Sequence, residues 1–265
     1  LNNMSKVQSA SQYIKKNLIF DGETAIILGS GLGDFTDLIN GRKTLKYSEI
    51  PYYPESNVEG HKGELHSGVI GGKEILVAQG RVHAYEGCSI EKITFPIKVF
   101  KKCGIRNIII TNSAGSMRKE FAPGTIVLIA GHLDCTFQEK FENPILENSQ
   151  RFYSKALSML VKRIASELDI NLPSGNYCWT LGPAYETPAE INYFRSLSGT
   201  AVGMSTLPEI VESGKLDLNI LTLSVLTNFA AGLSKRPLTH EEVLENAMKS
   251  KADFKKILSN LINRI

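Results

Sequence analysis

The sequence predicts an α/β fold, and three observations carry that prediction. Short β-branched runs ending in glycine or a small polar residue recur along the chain, and stretches of helical apolar spacing fall between them. Most of the runs lack polar alternation, as strands covered on both faces do. Interleaved in this way, they imply helices layered on a largely buried sheet. The 265-residue chain exceeds the usual ~100–200 residues per domain, yet α/β chains of this size often fold as one unit. No repeat, low-complexity stretch or Ser/Pro-rich linker divides it, so one domain is expected over residues 1–265.

The elements follow in order. Helical spacing at 5–18 precedes an apolar run at 24–28, Thr-Ala-Ile-Ile-Leu, that reads as the first strand. Further strands are expected at 74–79, 107–111, 125–129, 176–180, 201–204 and 219–227, with helices at 90–103, 152–168 and 188–197. The clearest helix is the last. Thr239 and Glu242 form a capping-box pattern, and Val243, Leu244, Ala247, Phe254, Ile257, Leu258, Leu261 and Ile262 keep a mostly helical spacing. The polar stretch 138–150, with Asn143-Pro144, is the most loop-like part of the middle.

Composition excludes several function classes. With 42% hydrophobic and 22% charged residues the chain can bury a sizeable core, which excludes a disordered tail or linker. Thirty basic against twenty-seven acidic residues leave +3, scattered with no basic block, so no nucleic-acid surface is indicated. Cys88, Cys103, Cys135 and Cys178 lie far apart with no zinc spacing and read as reduced thiols in a cytoplasmic protein. No apolar run approaches the ~18–20 residues that span a bilayer, and the polar N-terminus has no signal-peptide pattern, so no membrane partner is expected.

Chemistry-bearing residues gather at the expected strand ends. Gly29-Ser30-Gly31-Leu32-Gly33-Asp34 follows the first strand. A glycine turn there brings backbone N–H groups close to an anion, with Ser30 adding a hydroxyl. A dinucleotide fingerprint needs a glycine where Asp34 stands, and a plain strand-to-helix turn explains the motif about as well. Gln79-Gly80-Arg81-Val82-His83-Ala84-Tyr85-Glu86-Gly87 ends another strand, and alternation places Arg81 and His83 on one side, where a guanidinium and an imidazole could face one anion. Alternatively, Arg81 pairs with Glu86 at the surface and His83 is structural. His61 is a third candidate anion contact, or a turn residue.

Thr111-Asn112-Ser113-Ala114-Gly115-Ser116 reads as a small-residue turn after a buried strand, with room for a ligand or simply close packing. Tyr185, Glu186, Met204 and Asn228 supply an aromatic, a carboxylate, a thioether and a carboxamide, a set suited to a flat heterocycle with polar rim groups. Singly, Glu186 could cap a helix, Met204 fill the core and Asn228 end a strand.

Together these blocks, with Gly60-His61-Lys62-Gly63, Gly182-Pro183-Ala184-Tyr185-Glu186-Thr187, Ala201 through Glu209, Thr227-Asn228 and His240-Glu241-Glu242-Val243, resemble the trimeric family of purine nucleoside phosphorylases. The resemblance implies a mixed, distorted central sheet flanked by helices, a homotrimer, and phosphorolysis of 6-oxopurine nucleosides without metal or organic cofactor. It implies phosphate contacts from Ser30, His61, Arg81, His83, the backbone at Ser113, and Ser205. It places Tyr85 and Met204 at the ribose, Tyr185 against the ring, Glu186 and Asn228 at the base edge, and His240 at the 5′-hydroxyl. Asn228, Glu186 and His83 would be the catalytic residues. Two departures stand out: the segment 134–153 is shorter than in the family, leaving open whether Phe141, Phe152 or Tyr153 closes a neighbour's site, and Ser113 and Tyr185 replace the frequent alanine and phenylalanine. A methylthioadenosine phosphorylase is the nearest rival, disfavoured by Asn228 where an aspartate is expected. A non-catalytic nucleotide- or anion-binding protein is the rival of a different class.

Overall fold

Strand β1 (Thr24–Leu28) is buried along its whole length and pairs in parallel with β4 (Lys73–Gln79) on one side and β5 (Asn107–Ser116) on the other. Its alternate residues serve two cores. Ile27 packs with Ala10, Ile14 and Leu18 of α1 (Asn3–Leu18), Phe100 of α2 (Ile90–Cys103) and Ile210 of α5 (Leu207–Lys215). Ile26 and Leu28 face Val161 and Ile164 of α3 (Lys155–Glu167), together with Phe254, Ile257 and Leu261 of α6 (His240–Ile262). Apolar area leaves water on both faces, which is why the strand reads as a continuous run without alternation. The computed structural model describes residues 3–56, 58, 62–138, 143–233 and 240–265, and the side chains of the last segment from Ser250.

The α/β class and the mixed central sheet are as expected. Nine strands run in the order β2-β3-β4-β1-β5-β8-β7-β6-β9, with β5 also pairing to β9. That extra pairing closes β5, β9, β6 (Ile126–Asp134), β7 (Ser174–Trp179) and β8 (Ala201–Gly203) into a five-stranded ring. Because β1, β4, β5 and β9 (Asn219–Phe229) are mutually parallel, their carboxyl ends lie along one edge. Ligands in α/β sheets bind at such an edge.

Two expectations need correction, and three elements went unread. Residues 111–116 are not a turn but the second half of β5, and the polar side chains that suggested a loop are bonded inside the sheet. Thr111 Oγ1 donates to Ile27 O at 2.9 Å and accepts from Gly29 N at 3.1 Å, while Ser113 Oγ donates to Ser30 O at 2.7 Å. The helix expected over 152–168 begins at Lys155, where Ser154 caps it by accepting from Leu157 N. Phe152 and Tyr153 instead turn inward; Tyr153 OH lies 2.7 Å from His132 Nδ1, and Phe152 packs under Gly214. Strands β2 (Asn40–Lys46) and β3 (Glu64–Ile70), together with α5, carry no apolar run that the sequence pattern would reveal. The Thr239 cap lies outside the described residues, whereas α4 (Pro188–Ser196) begins on a complete capping box of Thr187 with Glu190.

Candidate active site

A cavity of about 330 Å³ opens where the strand ends meet, within the ~300–1,000 Å³ range of small-ligand sites. Ser30, Arg81, His83, Ser113 and Ser205, five of the six expected anion contacts, line it. So do Tyr85, Tyr185, Glu186, Met204 and Asn228, five of the six expected nucleoside contacts. His61 lies outside the described residues, as does the side chain of His240, whose backbone begins α6; Phe141 lies outside them too.

At one end of the cavity the fold supports a fixed cation. Arg81 is 6% exposed, and its Nε lies 3.2 Å from Oε1 of Glu209 on α5, whose side chain is equally buried. Burial pushes the Glu209 carboxyl up, against the opposing pull of the guanidinium. A guanidinium does not lose its proton in a protein, so the pair is read as ionised. The surface pairing of Arg81 with Glu86 is therefore not what the fold builds. Arg81 Nη1 also donates to Ser205 Oγ at 3.3 Å and Thr206 Oγ1 at 3.4 Å, and Asn112 Nδ2 donates to Thr206 Oγ1 at 3.0 Å. Thr206 holds φ at +79°, and Leu207 N donates across it to Ser205 O at 2.9 Å, a rare positive-φ γ-turn for a β-branched residue. That turn presents Ser205 to the cavity at the start of α5.

Glu86 serves His83 instead. Its Oε1 accepts from the His83 backbone N at 2.7 Å and lies 2.9 Å from Nδ1, while Oε2 accepts from Ser56 Oγ at 3.0 Å. A carboxylate at Nδ1 selects the Nδ1–H tautomer and aims Nε2 away from the carboxylate. Burial holds His83 below the ordinary imidazole range despite Glu86. Glycine is required at the first turn for contact reasons: a Cβ at Gly29 would lie 2.5 Å from Asn112 Cα. Asp34, the residue that argued against a dinucleotide, is bound to Lys251 of α6 at 2.6 Å, which lowers its pKa.

At the other end the groups are polar and specific. Asn228 is 5% exposed, and its orientation is set by neighbours: Thr227 Oγ1 donates to Oδ1 at 2.9 Å, and Nδ2 donates to Phe229 O at 3.0 Å. A register shift in the β5–β9 pairing, where Thr227 is the extra residue in β9, places Asn228 opposite Gly115, where a Cβ would stand 3.3 Å from Nδ2. Glu186 Oε1 accepts from Thr180 Oγ1 at 2.6 Å, and burial raises the carboxyl's pKa. Tyr85 stacks on His83 with ring centroids 4.7 Å apart, and Tyr185, half exposed, stands at the rim. Gly182 holds φ at +73°, and a Cβ there would lie 2.4 Å from Met204 Sδ.

Sequence reasoning missed Glu209, Glu86, Thr206, Thr227 and Thr180. Each bonds a cavity residue, Thr227 from the cavity wall itself and the others from behind it; the contacts of Glu209 and Thr206 with Arg81 span 128 and 125 positions and leave no local signal, whereas Glu86, Thr227 and Thr180 lie within six positions of their partners.

Comparison with known proteins gives the same picture. The family described as "Phosphorylase superfamily" matches residues 23–263. A Geobacillus stearothermophilus protein, "Purine nucleoside phosphorylase 1", is 38% identical, the match covering 99% of this chain and 98% of that protein. "Purine nucleoside phosphorylase" of Bos taurus is 34% identical over 92% and 89% of the two chains. Among solved structures, the purine nucleoside phosphorylase of Schistosoma mansoni in complex with inosine superposes with a TM-score of 0.89 at 28% identity, covering 99% of this chain and 97% of that one. Isoform 2 of the Schistosoma mansoni enzyme, in complex with cytosine and ribose-1-phosphate, gives 0.89 at 32% identity over 98% and 96%. With the sheet, the cavity and the matched sequence all in agreement, the chain belongs to the phosphorylase superfamily and, within it, to the purine nucleoside phosphorylases.

Proposed function

We propose that the protein catalyses reversible phosphorolysis of 6-oxopurine nucleosides, in which phosphate attacks C1′ and the free purine and α-ribose 1-phosphate leave. One observation carries the reading: a single cavity joins the fixed guanidinium of Arg81 and three serine positions to a half-buried carboxylate and a buried carboxamide. The glycosidic C–N bond breaks through an oxocarbenium-like state, with positive charge growing on the ribose and negative charge on the base. Phosphate held by Arg81, Ser30, Ser205 and the backbone at Ser113, with His61 as a further contact, offsets the first charge. His83, neutral at neutral pH with Nδ1–H directed at Glu86, accepts the P–OH of monohydrogen phosphate at Nε2.

Tyr85 and Met204 flank the ribose, Tyr185 covers the ring, and His240 meets the 5′-hydroxyl. Thr227 holds Oδ1 and Phe229 O takes one Nδ2–H, so Asn228 keeps its second N–H for donation to the departing purine. Glu186, as a carboxylate, accepts N1–H of a 6-oxopurine. Adenine has no N1–H and would leave two acceptors facing each other, a mismatch of about 1–3 kcal/mol. No cofactor takes part, since phosphate is a co-substrate. The active assembly is a homotrimer, and the four thiols, none in a disulfide, suit the cytoplasm.

The test is an ultraviolet assay with inosine, run with and without phosphate. Strict phosphate dependence is expected; cleavage without phosphate indicates a hydrolase, and no turnover in either condition indicates a binding protein. Light scattering on the purified protein would return the mass of three chains, and a monomer would refute the trimer.

A further inference from the structure

Thr180 follows the last residue of β7 and does not line the cavity, yet its hydroxyl reaches Glu186 Oε1 at 2.6 Å. We propose that Thr180 is the positioning residue for substrate class: its hydroxyl fixes Glu186 so that a carboxylate oxygen meets N1–H of a 6-oxopurine, and the pair rather than Glu186 alone discriminates against 6-aminopurines. This rests on the assignment of Glu186 to the base edge.

The two residues are anchored very differently. Thr180 N donates to Gly203 O at 2.9 Å, continuing the ladder in which β7 pairs with β8, so its hydroxyl starts from a rigid strand end. Glu186 belongs to the loop after β7, in which Pro183, Ala184 and Tyr185 are exposed. A long acidic side chain on such a loop loses roughly 1–2 kcal/mol of rotamer freedom when fixed, and a contact to a rigid partner is what fixes it before the base arrives. The Thr180 hydroxyl has one proton and two acceptors in reach, Glu186 Oε1 at 2.6 Å and Gly203 O at 3.5 Å. The shorter contact has the length of a charge-assisted O–H···O⁻ bond, so the proton goes to the carboxylate. Donation to an ionised carboxylate also favours that ionised form.

The surroundings otherwise work against the charge. Burial raises the Glu186 pKa, and Glu190 on α4 adds like charge; the Thr180 hydroxyl and the Glu186 backbone N–H lower it. The titratable side chains that feel Glu186 are Tyr185 beside it in the loop and Cys178 below it on β7, which also senses Arg118. Thr180 is thus the one side chain in that set that holds Glu186 ionised.

The experiment compares Thr180→Val, which keeps shape and loses the proton, with Thr180→Ser, which keeps it. The readout is kcat/KM for inosine and adenosine from pH 5 to 8, with phosphate KM measured alongside. Thr180→Val should lower inosine kcat/KM at pH 7 roughly tenfold to a hundredfold, the worth of one hydrogen bond to a charged group. Its acidic limb should move to higher pH, the adenosine-to-inosine ratio should rise, and phosphate KM should stay within about threefold of wild type by additivity of separate sites. Thr180→Ser should restore the wild-type profile, and in a Glu186→Gln background Thr180→Val should add little. Superimposable wild-type and Thr180→Val profiles, or a Thr180→Ser enzyme as impaired as Thr180→Val, would overturn this inference while leaving phosphorolysis standing. A wild-type enzyme inactive on inosine would overturn both.

Discussion

Replacing Glu209 by Gln tests whether the phosphate end of the cavity is held by a buried ion pair. The two side chains are each 4% exposed with Nε and Oε1 3.2 Å apart. At an effective dielectric constant of about 20, charges at that separation attract by roughly 5 kcal/mol, and breaking a buried pair on one side costs about 3–5 kcal/mol. Gln keeps the shape and an acceptor for Nε but removes the Glu209 counter-charge from the buried Arg81 guanidinium. For a chain of this size each kcal/mol moves Tm by roughly 2–4 °C, so the variant should melt about 6–20 °C below wild type without phosphate. Phosphate then supplies the negative charge that Glu209 no longer provides. The Tm gain on adding saturating phosphate should therefore be larger in Glu209→Gln than in wild type, an inversion that simple damage to the site does not produce. Differential scanning fluorimetry over a phosphate titration reads both quantities. A Tm within about 2 °C of wild type, or equal phosphate gains in the two proteins, would refute the argument that Glu209 neutralises Arg81.

Three other outcomes follow from the geometry. Asn228→Ala should lower kcat/KM for inosine by roughly ten- to a thousandfold, mostly in kcat, because its contact strengthens as charge grows on the departing purine; a pure KM effect would remove it from that role. Glu186→Ala should cut turnover of inosine and guanosine, and unchanged rates would refute its contact with N1–H. His132 is held at about 4 by burial, below its ordinary 6.5, so the unfolded chain binds the extra proton between those values. Its contribution is intact above pH 6.5, is lost as pH falls toward 4, and amounts to about 3 kcal/mol at 1.36 kcal/mol per pH unit. The urea-derived stability of His132→Asn, subtracted from that of wild type across pH 4 to 7.5, should reveal this slope; a flat difference would show that His132 does not titrate with folding.

The legible parts of this fold are those in which one residue type answers to one local demand. Strand β1 was readable because both of its faces are buried, and helix α4 because Thr187 and Glu190 close its first turn within four residues. Strand β2 was not, since six of its seven residues are exposed, and β3 hides a buried His66 whose two ring nitrogens are bonded to Thr44 and Gln79. The error at 111–116 has the same origin. Thr, Asn, Ser and Gly are turn formers only while their hydrogen bonds are local, and here Thr111 and Ser113 bond to β1 and to the turn after it, more than eighty positions away.

The cavity divides along the same line. Several residues that line the cavity sit in glycine-rich turns at strand ends, visible in sequence because close backbone approach forbids a side chain, as at Gly29 and Gly182, while Ser113 and Asn228 line it from within β5 and β9. The residues that orient them look ordinary where they stand. Glu209 sits behind a proline in a helix, Glu86 is one carboxylate among many, and Thr180 ends a strand. Their meaning lies in a partner that only the folded chain supplies. Read from sequence, Arg81 had only the nearby Glu86 as a candidate carboxylate, and the fold supplies Glu209 from 128 positions away. The fold gives Glu86 to His83 and Glu209 to Arg81, so each cavity group that must hold or receive charge has its own fixed counterpart. Without Glu209 the guanidinium would lose the counter-charge 3.2 Å away that holds it at the anion end of the site, and without Glu86 the His83 ring would lose the carboxylate that sets its tautomer.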